Sequence, residues 1–336
     1  MTAATITALE RRAACLAAGN PVYADLIAIH LPLFRAQILW RRQVDVAPAT
    51  ISARDWACAR ETATPLRQRL SSGIAARSLE RLWRALDSLV REHRLPFVDV
   101  LDAAARAEAR GDFVPREWLA TLRPDDEGDE VAKCAAVLGV APDALNTLAR
   151  TVLLPHWHRV AAAWWPGSGS VRAAGGRCPV CGGVAILASC RAVGGTPASS
   201  TSATPTRWLH CGFCDTAWAP SALACPACGS SAAGDARYFF CPGTEGPRLD
   251  FCGACRAYLK VIPADGAADS FPVALEALVT LHLDPVALDR GLVTLRDYLA
   301  TADATRQMHP RRSPAAVVCA KGKAGRTAGD SPEEMS

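Results

Sequence analysis

The sequence predicts an α+β protein with a helical N-terminal half, a metal-binding region of short strands and a helical C-terminal segment. Three observations carry this reading. Apolar residues recur at helical spacing up to about residue 165. Beyond that point four Cys-x-x-Cys pairs follow one another: Cys178/Cys181, Cys211/Cys214, Cys225/Cys228 and Cys252/Cys255. Short β-prone runs lie around these pairs, and their length suits two small metal-held sheets.

In the N-terminal half, Ile27, Leu31, Phe34 and Ile38 share one helical face, and Pro32 predicts a kink or a new start there. Leu79, Leu82, Trp83, Leu86, Leu89 and Val90 form a cleaner stripe, closed by Pro96. Pro142 opens a helix whose Leu145, Leu148, Ala149 and Val152 fall on one face. An acidic turn, Pro124 to Glu130, divides the region. Trp83, Trp118, Trp157, Trp164 and Trp165 read as core or edge aromatics. His156 and His158 are two apart on a helix, point in different directions and so do not share a metal. They read as surface or capping residues.

Pro166 to Gly176 is a Gly/Ser-rich break that marks a domain boundary. Strands are expected at Val184–Leu187, Arg207–Leu209, Tyr238–Phe240 and Tyr258–Ile262, with a flexible loop at Gly194–Thr206. After Pro263 a linker leads to a helix through Ala274, Leu275, Leu278 and Leu281, and Pro285 starts another reaching about Ala300. From His309 the composition predicts a disordered tail. The expected organisation is a helical domain (1–165), two metal modules (175–222 and 223–265), C-terminal helices (270–305) and the tail (309–336).

The cysteine spacing carries the chemistry. One Cys-x-x-Cys turn places two thiolates on one side of a tight loop, and two turns complete a tetrahedral cage. Eight ligands make two cages. Cys178-Pro-Val-Cys-Gly182 and Cys225-Pro-Ala-Cys-Gly229 add a proline that presets the turn and a glycine free to take positive φ. Pairing the first turn with the second and the third with the fourth closes the shorter loops, although an interleaved pairing also satisfies the spacing. Thiolate cages accept zinc and iron alike. A dithiol enzyme or structural disulfides are the rival readings; four pairs exceed what a dithiol enzyme needs.

Cys15, Cys58 and Cys134 lie among apolar residues and read as buried core side chains, while Cys190 and Cys241 lie inside the metal region as spare thiols. Half of the 336 residues are hydrophobic and about a fifth are charged (21%), enough for a large core. The chain begins without a secretory leader pattern, and no uninterrupted apolar segment reaches membrane-spanning length, so the cytoplasm is the expected compartment. A net charge of +4, without dense basic runs, does not call for nucleic acid.

These motifs together resemble the FdhE family, the accessory proteins of formate dehydrogenase. The resemblance rests on Trp164-Trp165 before the first knuckle, Cys178-Pro-Val-Cys-Gly, Leu209-His-Cys-Gly-Phe-Cys214 with Trp218, and Cys225-Pro-Ala-Cys-Gly with Tyr238. It continues in Cys252-Gly-Ala-Cys-Arg-Ala-Tyr-Leu-Lys260, Leu275-Glu-Ala-Leu-Val-Thr-Leu-His-Leu-Asp284 and Asp289-Arg-Gly291. It is strong from about Leu148 to Leu292. Asp215 to Ala217 departs from the more acidic lead-in expected before the tryptophan.

The resemblance implies two rubredoxin-like modules with iron in both sites, zinc being the alternative. It implies a cytoplasmic maturation protein, not itself an enzyme, that binds the catalytic subunit of a respiratory molybdenum or tungsten formate dehydrogenase. No nucleic acid and no membrane insertion are implied, and a homodimer is left open. Whether the metal transfers electrons, senses redox state or holds the fold is not implied. The competing class is a zinc-ribbon nucleic-acid or transcription-associated protein, weakened by the lack of a basic and aromatic stripe on the knuckle strands. His210 beside Cys211 is either a hydrogen-bond donor to a ligating sulfur or a half-exposed strand residue. Trp218 and Tyr258 either shield the metals or pack the small sheets.

Overall fold

The computed structural model describes residues 2–62, 64–124, 129–165, 172–173, 175–191, 206–220, 224–232, 234–239, 246–263 and 272–308. The acidic turn, the Gly194–Thr206 loop, Cys241 and the tail from His309 lie wholly or mostly outside these residues. Eight helices come first: α1 (Thr2–Gly19), α2 (Pro21–Trp40), α3 (Ala53–Thr62), α4 (Ala76–Glu92), α5 (Val98–Arg110), α6 (Pro115–Thr121), α7 (Asp129–Leu138) and α8 (Pro142–Trp164).

Local chemistry sets several of their ends. The Asn20 side chain accepts a hydrogen bond from Val22 N at 3.0 Å, and Pro21 follows it in the first turn, so α2 starts on a capped, preset turn. Gly111 ends α5 in the left-handed region, at φ 79°. The α4 stripe buries Leu79, Leu82, Trp83, Leu86 and Val90. Trp83, Phe113 and Trp118 meet there at tilted and edge-on angles.

One reading of the helical half needs correction. Pro32 does not mark a new start, since α2 runs on across it, and packing on α1, α8 and α9 offsets the one lost backbone bond. By length and composition α2 is also apolar enough to cross a membrane. Yet it carries Asp25, His30 and Arg35, and it buries Ile27, Leu33, Ala36, Gln37 and Trp40 inside the protein.

The strands are β1 (Arg172–Ala173), β2 (Ala185–Arg191), β3 (Thr206–Cys211), β4 (Ala217–Pro220), β5 (Ala236–Phe239), β6 (Arg248–Cys252), β7 (Ala257–Pro263) and β8 (Val293–Thr294). They form one mixed sheet in the order β1-β4-β3-β2-β7-β6-β5, with β8 on β7. The α+β class is therefore borne out, but the two expected small sheets are joined. Parallel pairing of β2 with β7, Ala188 opposite Val261 and Ser189 opposite Ile262, makes the junction. Each strand thereby fills the other's open edge.

The C-terminal elements are α9 (Val273–Val279), α10 (Leu283–Leu288) and α11 (Leu295–Met308). The single helix expected from Pro285 to Ala300 is divided instead. Gly291, at φ 66°, turns the chain, and Val293 N then donates to Arg256 O at 3.1 Å, so strand pairing with β7 replaces the helix.

The main core does not stop at the end of the helices. Leu145, Leu148, Val152, Trp157 and Trp164 of α8 belong to the same buried cluster as Cys178, Cys211, Phe213 and Trp218. A second cluster joins α1 and α2 to α9 through Leu9, Ile27, Leu275 and Leu278. Arg12 also holds the buried Glu276 carboxylate at 2.6 Å, tying the first helix to α9.

Candidate metal centres

All eight predicted cysteines converge in two groups, Cys178, Cys181, Cys211 and Cys214 in one and Cys225, Cys228, Cys252 and Cys255 in the other. The first turn thus meets the second, and the third meets the fourth. Within each group the sulfurs lie within 4.8 Å of one another. The first cysteine of one turn faces the last of its partner: Cys178 and Cys214 are 3.5 Å apart, and Cys225 and Cys255 are 3.7 Å apart. The inner sulfurs do likewise, with 3.5 Å between Cys181 and Cys211 and 3.8 Å between Cys228 and Cys252. A tetrahedron with metal–sulfur bonds of about 2.3 Å has edges of roughly 3.8 Å, so both groups have dimensions that could hold a zinc or iron ion.

The turns themselves repeat one backbone device. The residue after each pair has positive φ: Gly182 (82°), Asp215 (64°), Gly229 (78°) and Arg256 (64°). The first cysteine of a turn donates its N–H across that residue, Cys178 to Gly183 O, Cys211 to Thr216 O and Cys225 to Ser230 O, at 2.7–2.9 Å. This closure aims backbone amides at sulfur, as in Gly183 N to Cys181, Phe213 N to Cys211 and Ala227 N to Cys225, each 3.4 Å. Such N–H groups offset thiolate charge. Glycine meets the requirement twice; that Asp215 and Arg256 carry the same strain is not legible from residue type. Asp215 is one of the residue types that tolerate it, and Arg41 holds its carboxylate at 3.1 Å.

The electrostatics favour a cation at the first group. Burial pushes Cys181 and Cys214 well above the ordinary thiol range, and hydrogen bonds to Cys178 push the same way. Cys178 falls well below that range: burial opposes its ionisation, but hydrogen bonds from Cys181, Cys211 and Cys214 outweigh burial. Protein groups alone thus favour the thiolate at Cys178 and disfavour it at Cys181 and Cys214. Four thiolates in that space need a positive ion at their centre.

The surroundings of the two groups differ. Cys178, Cys181, Cys211 and Cys214 are 0–2% exposed. Their turns are bonded to the helical half, with Leu66 N donating to Pro179 O, Arg67 N to Val180 O and Arg67 Nε to Cys181 O. Arg150 of α8 donates to Gly212 O and lies over the Phe213 ring, which meets Trp157 edge-on. At the second group Cys228 is exposed and Cys225 and Cys255 are only half-buried.

Other candidate residues fall elsewhere. His210 is buried rather than half-exposed, and its Nε2 lies 2.8 Å from Ser189 Oγ on β2. Trp218 packs in the main core and donates to Gly175 O at 3.3 Å. Tyr258 packs against α10 and donates to Asp284 at 2.8 Å. Lys260 reaches the same carboxylate at 2.9 Å, which explains why Tyr258, Lys260 and Asp284 occur together in the motif. Cys190 lies outside both groups and is approached by Arg248 at 3.8 Å.

His156 is fully buried rather than at the surface, its Nε2 2.9 Å from Ser78 Oγ and its Nδ1 2.9 Å from Val152 O. His158 faces a cavity of about 110 Å³ beside Cys211, so the two histidines do diverge. Of the three cysteines expected in the core, Cys58 is buried, Cys134 is half-buried and Cys15 is exposed on α1.

Fold and site together define a helical protein that carries one mixed sheet with two four-cysteine groups able to bind metal. No family model matches the chain. The FdhE resemblance is nevertheless borne out. A curated protein named Protein FdhE homolog, from Haemophilus ducreyi, is 30% identical over 117 residues, 34% of this chain and 35% of that protein. The match thus spans about a third of the relative's length. The crystal structure of the FdhE protein from Pseudomonas aeruginosa superposes with a TM-score of 0.50 at 21% identity, covering 86% of this chain and 92% of that chain, and so shares the fold.

Proposed function

We propose that this chain is an accessory protein of formate dehydrogenase, acting in the cytoplasm on the catalytic subunit of a respiratory molybdenum or tungsten enzyme. The observation that carries the reading is the coincidence of two likenesses, the local identity to an FdhE homolog and the shared fold with an FdhE protein. In this reading the chain performs no catalysis. In this reading residues 1–165 are the helical domain and 175–222 and 223–265 the two modules, which share one sheet through β2 and β7.

The eight cysteines are the proposed metal ligands, iron being the proposed ion and zinc its alternative. A bound ion supplies the positive charge that lets four thiolates share one site. The residues of the chain do the rest: backbone amides point at sulfur, and Arg67 and Arg150 fasten the first group to the helices. Arginines near the second group are engaged within the protein. Arg248 holds Asp250 at 2.8 Å and Arg207 donates to Ala224 O.

The test is affinity capture of the tagged full-length protein from its own host under formate-respiring growth, with mass spectrometry of co-eluting proteins. Recovery of a formate dehydrogenase catalytic subunit is the expected result. Recovery of polymerase or ribosomal partners without a dehydrogenase would replace this reading with the zinc-ribbon one.

A further inference from the structure

We propose that the two cysteine groups have separate roles, the first a permanent staple and the second an exchangeable site that takes and releases Zn(II) or Fe(II) by trading ligands with outside thiols. The proposal rests on the reading of both groups as metal sites. It adds a difference between them that their identical spacing conceals.

Access is the first observation. The cysteines of the first group are 0–2% exposed inside the main core, whereas in the second Cys228 is exposed, Cys225 and Cys255 are half-buried and Cys252 alone is buried. A cleft of about 360 Å³ also opens on the second group, with Cys225 and Cys252 in its wall beside Arg207, Arg248 and Asp250. That volume admits a small thiol or a cysteine side chain of another protein.

Mechanical constraint is the second. To open the first group, the Cys178 turn must give up the hydrogen bonds from Leu66 and Arg67, or the Cys211 turn must give up that from Arg150 and withdraw Phe213 from Trp157. Cys228 lies in a turn whose Gly229 would meet nothing within 4 Å of an added Cβ, so that side of the turn faces open space.

Exchange at the second group needs no change of oxidation state. One metal–sulfur bond forms to an incoming thiolate as the bond to Cys228 breaks. The proton lost by the incoming thiol is matched by one that the departing Cys228 sulfur takes up. Repeating the step at Cys225, Cys255 and Cys252 completes transfer in either direction.

The experiment loads the full-length protein with Zn(II), confirms the number bound, and follows release to excess 4-(2-pyridylazo)resorcinol. One equivalent should leave roughly 10- to 100-fold faster than the other, the range by which surrounding groups change metal retention. Cys228→Ser should remove the fast equivalent and keep the slow one. Alkylation of the wild-type zinc protein, mapped by mass spectrometry, should label Cys228, Cys225 and Cys255 before any cysteine of the first group. Release of both ions at one rate, or earlier labelling of the first group, overturns the division of roles while leaving the metal reading intact. A protein that binds no zinc under these conditions overturns both.

Discussion

Replacing Asp284 with alanine removes the carboxylate that holds two β7 side chains at once. Tyr258 donates to Oδ1 at 2.8 Å and Lys260 reaches Oδ2 at 2.9 Å. The Lys260 side chain is only 9% exposed, and Asp284 itself 28%. A buried charge left without its partner costs about 3–5 kcal/mol, and an orphaned hydroxyl about 1–3 kcal/mol. The two losses overlap, because water entering through the exposed side of Asp284 can serve both groups. The expected net loss is therefore about 3 kcal/mol. Chemical denaturation of the metal-loaded protein, followed by circular dichroism, measures it. Pairing Asp284→Leu with Lys260→Met should recover most of the loss by removing both charges. A change below about 0.5 kcal/mol for the alanine variant would refute this account of how α10 is fastened to the sheet.

Burial holds the His156 imidazole neutral until about pH 4, against 6.5 for an ordinary histidine. The unfolded chain therefore binds the proton first as pH falls, so stability is complete above about pH 6.5 and should decline by about 3 kcal/mol toward pH 4. His158 is shifted the same way by burial and by Arg41, so the His156 share is read as the difference between wild type and His156→Gln in denaturation across that pH range. Substituting His210 with asparagine should lower stability by about 1–2 kcal/mol through the lost Ser189 contact, yet leave the metal–thiolate absorption unmoved; a shifted absorption would mean that His210 acts on sulfur after all. Gly182→Ala forces a Cβ into the left-handed region at φ 82° and should cost about 1–2 kcal/mol, seen as a lower thermal midpoint. Cys178→Ser with Cys181→Ser should abolish soluble folded protein, since these sulfurs sit in the main core.

Much of the site was legible because its signals are local. A Cys-x-x-Cys-Gly turn encodes its own geometry, and the α4 stripe announces its buried face within a few residues. Strand β6 was missed although Arg248-Leu-Asp-Phe alternates, with Leu249 buried against α10 and Arg248 and Asp250 lining the cleft. Long-range contacts left no such trace. The parallel pairing of β2 with β7 joins residues far apart in sequence, and His156 is buried because Ser78, on another helix, satisfies it. The unequal exposure of the two cysteine groups is likewise a product of packing: the same spacing lies against helices in one case and beside an open cleft in the other.

The most direct measurement is metal analysis of the full-length protein loaded with excess Zn(II) or Fe(II), combined with X-ray absorption at the metal edge. Two ions per chain, each in a shell of four sulfurs at about 2.3 Å, is the expected result. Fewer than two ions, or a shell containing nitrogen or oxygen ligands, would contradict the assignment of Cys178, Cys181, Cys211, Cys214, Cys225, Cys228, Cys252 and Cys255 as two complete metal sites.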